Sequence, residues 1–405
     1  MKKTLLALTV GTALSGLSVA QAEVTLFDYT EATSAYEEAY ATGDLNVSNH
    51  RRDDQTAYDF NLGVNYDRVF SSPSRDLTVK GDLTGSITRA GTEGADSNDN
   101  YTASGSVTAD NYFTPGSNGA FWFGSASVRA DDAFDDLETT ASVGVGYGRV
   151  VNVTPMAKAM RVIDELAAMG VLQAKPDKTV YQQMANIIDR EGEYRSRYGF
   201  QENYELKWIS DVLAVLQNNG ATNGPVSAAG TLKVRDVLVD ERISARRYGW
   251  KVRAGLGYVG TNFDGLTDKP LLTAGAEYHM PLSNQTQLSD EATFNAILND
   301  GDNGYNFNNQ LSLTHEVDDR IDWENAWDLN YAKDTGNGDD VVTNTLSSTL
   351  YYELNNALDF YTTASLKNIN GSSQVITETN NGTTVSYDED GTDTSLQMGV
   401  RYRLK

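Results

Sequence analysis

The chain has no cysteine and only three histidines, His50, His279 and His315. Without cysteine there is no disulfide scaffold, no thiol for a lipid anchor and no cysteine metal site. Neither a His-Glu-x-x-His metal pair nor a Gly-x-Ser-x-Gly elbow occurs, and no glycine-rich phosphate loop lies in the right context. Beyond the N-terminal segment there is no apolar run long enough for a membrane helix. Basic charge is also in deficit: the formal net charge is -24, which speaks against nucleic-acid binding.

What is present is alternation. In Thr394–Lys405 the apolar Leu396, Met398, Val400, Tyr402 and Leu404 share one face of a strand, and Gln397, Gly399, Arg401, Arg403 and Lys405 share the other. At the other end, Lys2 and Lys3 precede an apolar stretch from Leu5 to about Val19, then Ala20-Gln21-Ala22. That is the pattern of a secretory signal peptide over residues 1–22, with the mature chain expected to begin at Glu23. The terminal strand resembles the C-terminal assembly signal of Gram-negative outer-membrane β-barrels, porin-like proteins among them, with Gln397, Gly399, Tyr402 and Leu404 matching in order. Lys405 departs from that pattern, which usually stops on an apolar or aromatic residue. The resemblance implies a chain placed in the outer membrane by the barrel assembly machinery, among outer-membrane lipid and lipopolysaccharide. The mean hydropathy of -0.45 agrees, because only alternate residues of a barrel strand touch lipid.

Ten-residue alternating segments recur along the chain. Tyr58, Phe60, Leu62, Val64 and Tyr66 form one stripe, and Trp250, Val252, Ala254, Leu256 and Tyr258 another, aromatic at both ends as two interfacial girdles require. Thirteen segments are clear. Short links such as Pro281–Thr286 and Glu316–Arg320 belong on the periplasmic side, and long ones such as Asn368–Thr392 outside. Counting back from a periplasmic C-terminus leaves one ascending strand missing before Tyr58. Asp44–His50 supplies it, giving an all-β antiparallel transmembrane barrel of about 14 strands, with 12 or 16 as alternatives.

Two barrel parts, 23–150 and 248–405, flank an insertion at 151–247 where the period changes from two to about three and a half. Thr154-Pro155 reads as an N-cap with proline behind it, and Met156, Met160, Ile163 and Leu166 make one face of a first helix. Three more apolar faces, at Val180–Ile188, Tyr204–Leu216 and Leu232–Leu238, make a four-helix subdomain, either periplasmic or folded into the lumen. Its charges are of both signs in nearly equal numbers, suited to a periplasmic protein partner.

The polar partners of the apolar stripes should line the lumen. Lys251, Arg253, Arg401 and Arg403 would form a basic ladder, opposed by Asp59, Asn61, Asn65, Glu277, Glu324 and Asp328 in a transverse field, unless the charges simply pair across a filled interior. Glu277 and His279 fall on the same lumenal face near the periplasmic end, away from outer-leaflet lipid, so His279 is not placed as the base of an outer-membrane hydrolase. His315 lies at the same low level, and His50 on a polar extracellular edge. The acidic stretches Asp300–Gly304 and Asp388–Asp393 lack the spacing of a calcium loop, and neither metal nor cofactor is assigned. The expected function is therefore non-catalytic: a porin-like channel or transporter for small hydrophilic solutes. The alternative is an outer-membrane anchor whose helical insertion binds periplasmic partners, for example in surface polysaccharide export.

Overall fold

A computed structural model describes residues 24–404 except 32, 50–54, 200–203, 262, 264–266, 301, 334–339, 356, 372–374, 381–382 and 389, with backbone alone at 375–380 and 383–388. The expected signal peptide, His50 and Lys405 lie outside the described residues.

The wall is one closed antiparallel sheet of fourteen strands. They are β1 (Ser34–Ser48), β2 (Ala57–Ser71), β3 (Arg75–Arg89), β4 (Asn98–Tyr112), β5 (Ala120–Asp131), β6 (Glu138–Asn152), β7 (Arg247–Thr261), β8 (Thr267–Pro281), β9 (Thr286–Ile297), β10 (Gly304–Asp318), β11 (Ile321–Lys333), β12 (Asp340–Asn355), β13 (Leu358–Asn370) and, after a detour, β16 (Gly391–Arg403). The detour holds a separate hairpin, β14 (Val375–Asn380) with β15 (Thr383–Asp388), which pairs with no wall strand. Strand β1 starts ten residues before Asp44. Its outward residues there are Ala35, Glu37, Ala39 and Ala41, with Tyr66 Oη donating to Glu37 Oε1 at 2.9 Å, while Tyr36 and Tyr40 point inward, so the usual apolar stripe is missing from its lower half.

Large apolar side chains stand on the outside of the wall: Val143 is 65% exposed, Leu256 66% and Leu396 66%. In water this would be untenable. Against hydrocarbon it is the stable arrangement, and closing the sheet joins its two edge strands. The seam that closes it is short, Tyr40–Gly43 of β1 against Val400–Arg403 of β16. Gly399 sits beside that seam for a steric reason: a Cβ there would lie 2.6 Å from Tyr361 Oη and 2.8 Å from Gly43 O. Gln397 Nε2 donates to Asp44 Oδ2 across the seam at 2.8 Å, Leu404 N donates to Ala39 O at 2.8 Å, and Tyr402 faces outward.

Between β6 and β7 the chain forms five helices: α1 (Thr154–Ala168), α2 (Lys178–Asp189), α3 (Glu191–Tyr198), α4 (Tyr204–Asn218) and α5 (Ala228–Arg235), the last running into a widened turn at Asp236–Asp240. The sequence reading missed α3 because it buries no residue and so carries no apolar face. It also misplaced the first cap. Val153 precedes the helix, and Thr154 instead stitches the two ends of the insertion together. Its Oγ1 donates to Asn152 Oδ1 (2.6 Å) and accepts from Arg246 N (2.9 Å). Strand β6 runs on to Asn152 and β7 begins at Arg247, so the flanks of the expected insertion, 151–152 and 247, belong to the wall.

The helices repeat. Gly220 follows Gly170 by fifty residues, with φ of 67° and 69°. Thr222 follows Leu172 at the same interval, and those two residues pair as an isolated antiparallel bridge between the two loops. Asp177 and Ser227 each cap the next helix by accepting a backbone N–H, from Val180 and Gly230. The buried pairs Val162 and Val212, Ile163 and Leu213, and Leu166 and Leu216 keep the interval too, and with Trp208, Met184 and the N-terminal Leu26 they form a dry core confined to the helices and their flanking segments.

In that domain, burial, aided by Glu31 and Glu193, pushes the Asp189 carboxyl up to about 7. The folded form then binds its proton more tightly than the unfolded chain, so this group's contribution is complete below the ordinary Asp range and is lost as pH rises through 7. Helix melting followed by circular dichroism should therefore occur at a higher temperature at pH 5 than at pH 8, and Asp189→Asn should flatten the difference; a higher melting temperature at pH 8 contradicts it. Refolding in detergent, without assembly factors, tests the seam. Gly399→Val should lose the heat-modifiable band of a closed barrel on gels, and an unchanged band would show that Gly399 is not sterically required.

Candidate functional site: the lumen and its periplasmic floor

Alternation sends every second polar residue inward. Three cavities result, of 610, 310 and 370 Å³. None is lined by a residue of α1–α5; α1 and the segment after α5 bond instead to the short-turn end of the wall, at Glu316 and Asn284.

Low in the lumen, cations and acids are paired. Lys251 Nζ is 2.7 Å from Asp110 Oδ2 and 3.7 Å from Glu277 Oε2. Arg253 pairs with Glu277 and lies 3.6 Å from Asp110. Arg247 reaches Asp67 on β2 at 3.2 Å. Lys80 on β3 meets Glu291 on β9, six strands away round the wall, at 3.2 Å. Two side chains and one hydrogen bond cannot cross the bore of a round fourteen-stranded barrel, so the cross-section is flattened into a waist here. Both groups remain partly exposed, 45% and 32%, inside an aqueous space.

At the waist two phenylalanines, Phe121 and Phe123, are fully buried against glycines of β6 and β7. A Cβ on Gly146 would lie 2.2 Å from Phe121 Cζ, and one on Gly255 2.8 Å from Phe123 Cζ. Nearer the floor, Gly148 (φ 104°) and Gly249 (φ 120°) adopt the left-handed region within the last paired stretch of β6 and β7.

Arg401 stands seven strands from Lys251 and is also matched locally, with Asp359 at 2.9 Å and Glu324 at 4.0 Å, its guanidinium stacked 3.4 Å over the Tyr351 ring. Arg403, half-buried near the seam, makes no ion pair among the described residues. His279 is buried, its Nδ1 2.9 Å from Ser289 Oγ, and His315 Nδ1 lies 2.8 Å from Thr286 Oγ1 at the foot of β9.

The transverse field expected from the sequence is thus absent. The two groups of cations are opposite each other, and Lys251, Arg253 and Arg401 each meet acids on their own side. Asp59, Asn61, Asn65 and Asp328 do not face them as counter-charges. Higher in the lumen, carboxylates are instead held by amides: Asp44 by Asn61 (3.1 Å) and Gln397 (2.8 Å), Asp59 by Asn61 (3.1 Å), Asp82 by Asn65 (2.8 Å) and Asp328 by Gln310 (2.7 Å). An amide fixes a carboxylate's position without cancelling its charge.

The floor is organised by Glu316, at the foot of β10. It accepts from Arg161 of α1 (2.6 Å), Arg246 (2.7 Å) and both the backbone N–H and the hydroxyl of Ser244 (3.0 and 3.1 Å). Arg246 is wholly buried and also donates to Asn284 O in the β8–β9 turn at 3.0 Å. Arg242 pairs with Asp359 at the foot of β13. The helical domain is therefore clamped to several periplasmic turns.

The outward apolar wall and the polar, water-filled interior define an integral β-barrel of the Gram-negative outer membrane. A family model described as "Protein of unknown function, DUF481" matches residues 241–354, a segment that begins at the clamp and covers β7–β11 and most of β12. Curated proteins give no match. Among solved structures the chain is similar to an anion-selective porin from Comamonas acidovorans, at 10% identity over 91% of this chain and 100% of that one, TM-score 0.34. It is also similar to a loop-deletion mutant of OmpT, an outer membrane protein of Vibrio cholerae (9%, 91% and 99%, 0.30), and to Omp33 of Acinetobacter baumannii (8%, 93% and 100%, 0.27). At such scores the likeness is one of barrel shape and says nothing of what enters the lumen.

Replacing Glu316 by Gln removes the charge that both Arg161 and Arg246 face. Limited trypsin digestion should then cut faster at Arg242–Arg247 while the barrel stays heat-modifiable; an unchanged cleavage rate would show that the clamp does not hold the domain.

Proposed function

We propose that the protein is an outer-membrane channel for small hydrophilic solutes, with a preference for cations. The observation that carries this reading is the set of amide-held carboxylates Asp44, Asp59, Asp82 and Asp328 on the inner wall. Fixed negative charge along a wet path lowers the energy of a passing cation and raises that of an anion. The Lys80–Glu291 bridge sets the narrowest level, and the helical domain stands across the periplasmic exit.

The barrel need not act alone. Leu206 on α4 and Leu232 on α5 are 61% and 66% exposed, and the Arg235–Glu205 pair at 3.1 Å draws these two helices together. Two large apolar side chains kept exposed on a clamped domain favour the second reading, in which the insertion engages a periplasmic protein.

In planar bilayers the purified full chain should show stepwise conductance with cations preferred severalfold over anions. Asp44→Asn with Asp82→Asn should reduce that preference, and Lys80→Ala should raise the unit conductance. Deleting 154–246 should raise it further by clearing the exit. A complete absence of conductance in the full and deleted forms would overturn the channel and leave the partner-binding reading.

A further inference from the structure

The outer wall is not equally apolar all round. On β2–β8 the outward residues between the aromatic girdles are apolar or glycine, as in Phe60-Leu62-Val64, Ala141-Val143-Val145 and Leu272-Ala274-Ala276. On β9–β12 the same face carries Asp290, level with the girdle residues Tyr278 and Trp250, and Asn309, Asn325 and Ser348. Register fixes their placement. Asp290 pairs with outward-facing Tyr278 on one side and Leu311 on the other, Asn309 with Ala292 and Leu329, and Asn325 with Leu313 and Ser348. Each therefore lies among apolar neighbours on the lipid side.

Hydrocarbon offers none of these groups a partner, and a carboxylate or carboxamide on the lipid face of a barrel strand is destabilising. Internal bonds satisfy only part of the demand. Asn309 Nδ2 donates to Asp290 Oδ1 at 2.6 Å, and Trp323 Nε1 donates to Ser348 Oγ at 2.9 Å. The second Asp290 oxygen and the Asn309 carbonyl are left over, and Asn325 makes no side-chain hydrogen bond among the described residues.

We propose that the β9–β12 wall is the contact face for a second copy of this chain within the membrane. The patch holds both acceptors (the Asp290 carboxylate, the amide carbonyls) and donors (the Asn309 and Asn325 amides, the Ser348 hydroxyl). It is thus complementary to itself, which is what a two-fold related pair of identical faces requires. A lipid tail supplies neither kind of group. The wall opposite, centred on β4, has nothing polar between the girdles to satisfy and remains the lipid face. This assignment needs the barrel to span the membrane but is independent of whether the lumen conducts.

The natural absence of cysteine makes the test direct. Asn325→Cys and, separately, Val107→Cys, which stands seven strands away on β4, are introduced into the full chain and oxidised in native outer membranes. Disulfide-linked dimers are expected from Asn325→Cys and not from Val107→Cys, with heat-modifiability confirming that both barrels are closed. In mild detergent the native protein should run as an oligomer by light scattering, and Asp290→Leu with Asn309→Leu and Asn325→Leu should convert it to a folded monomer. A monomeric native protein with no dimer from Asn325→Cys overturns the proposal, as does a cross-link to a different protein, or dimers formed equally from both positions.

Discussion

Hydrocarbon cannot hydrogen-bond, and that constraint governs this molecule. Every backbone N–H and C=O at membrane depth must find its partner within the sheet, so the sheet closes, and closure rests on the four-residue seam between β1 and β16. Of the residues resembling an assembly signal, Gln397, Gly399 and Tyr402 lie on β16 and Leu404 directly follows it. Gly399 leaves room for the Tyr361 ring, Gln397 ties the seam to Asp44, and Leu404 extends the pairing to Ala39. Local sequence, closure and lumen packing meet at one strand.

Closure creates a second problem, an interior that must be filled or wetted. Here it is solved differently at different heights. The floor and waist are neutralised by ion pairs that reach across strands, with Glu316 joining the helical domain to the wall. Above them, carboxylates are oriented by amides and keep their charge. A lumen neutral below and negative above would concentrate cations at the outer mouth and constrict them at the waist.

Strand positions were legible because lipid imposes period two on one face and water on the other. Leu256 and Trp250 had to alternate with Arg253 and Lys251. Parity of the connections demanded a strand before Tyr58, and β1 is there, though the small and acidic outward residues of its lower half hid where it begins. The partners of the lumenal charges were not legible. Asp110, Asp359, Lys80 and Glu291 share the inward parity of Lys251, yet nothing in sequence states that β3 faces β9 closely enough for a bridge. Alternation shows which face a residue takes; the flattening of the bore decides whom it meets. The helical repeat was equally hidden, because its halves share buried positions, turn glycines and cap geometry more than residue identity. Glu316 could have been suspected only as an acidic residue beginning a short periplasmic link.

The central claim is that one face of each strand meets hydrocarbon and the other meets water. Spin labels placed one at a time along β7 from 249 to 258 in lipid vesicles test it most directly, read as accessibility to oxygen and to a water-soluble nickel chelate. The account predicts alternation with period two, oxygen favoured at Trp250, Val252, Ala254 and Leu256 and lost at the inward Lys251, Arg253 and Gly255, with nickel reaching the partly exposed Arg253. Uniform access to nickel, or alternation in the opposite phase, would contradict it.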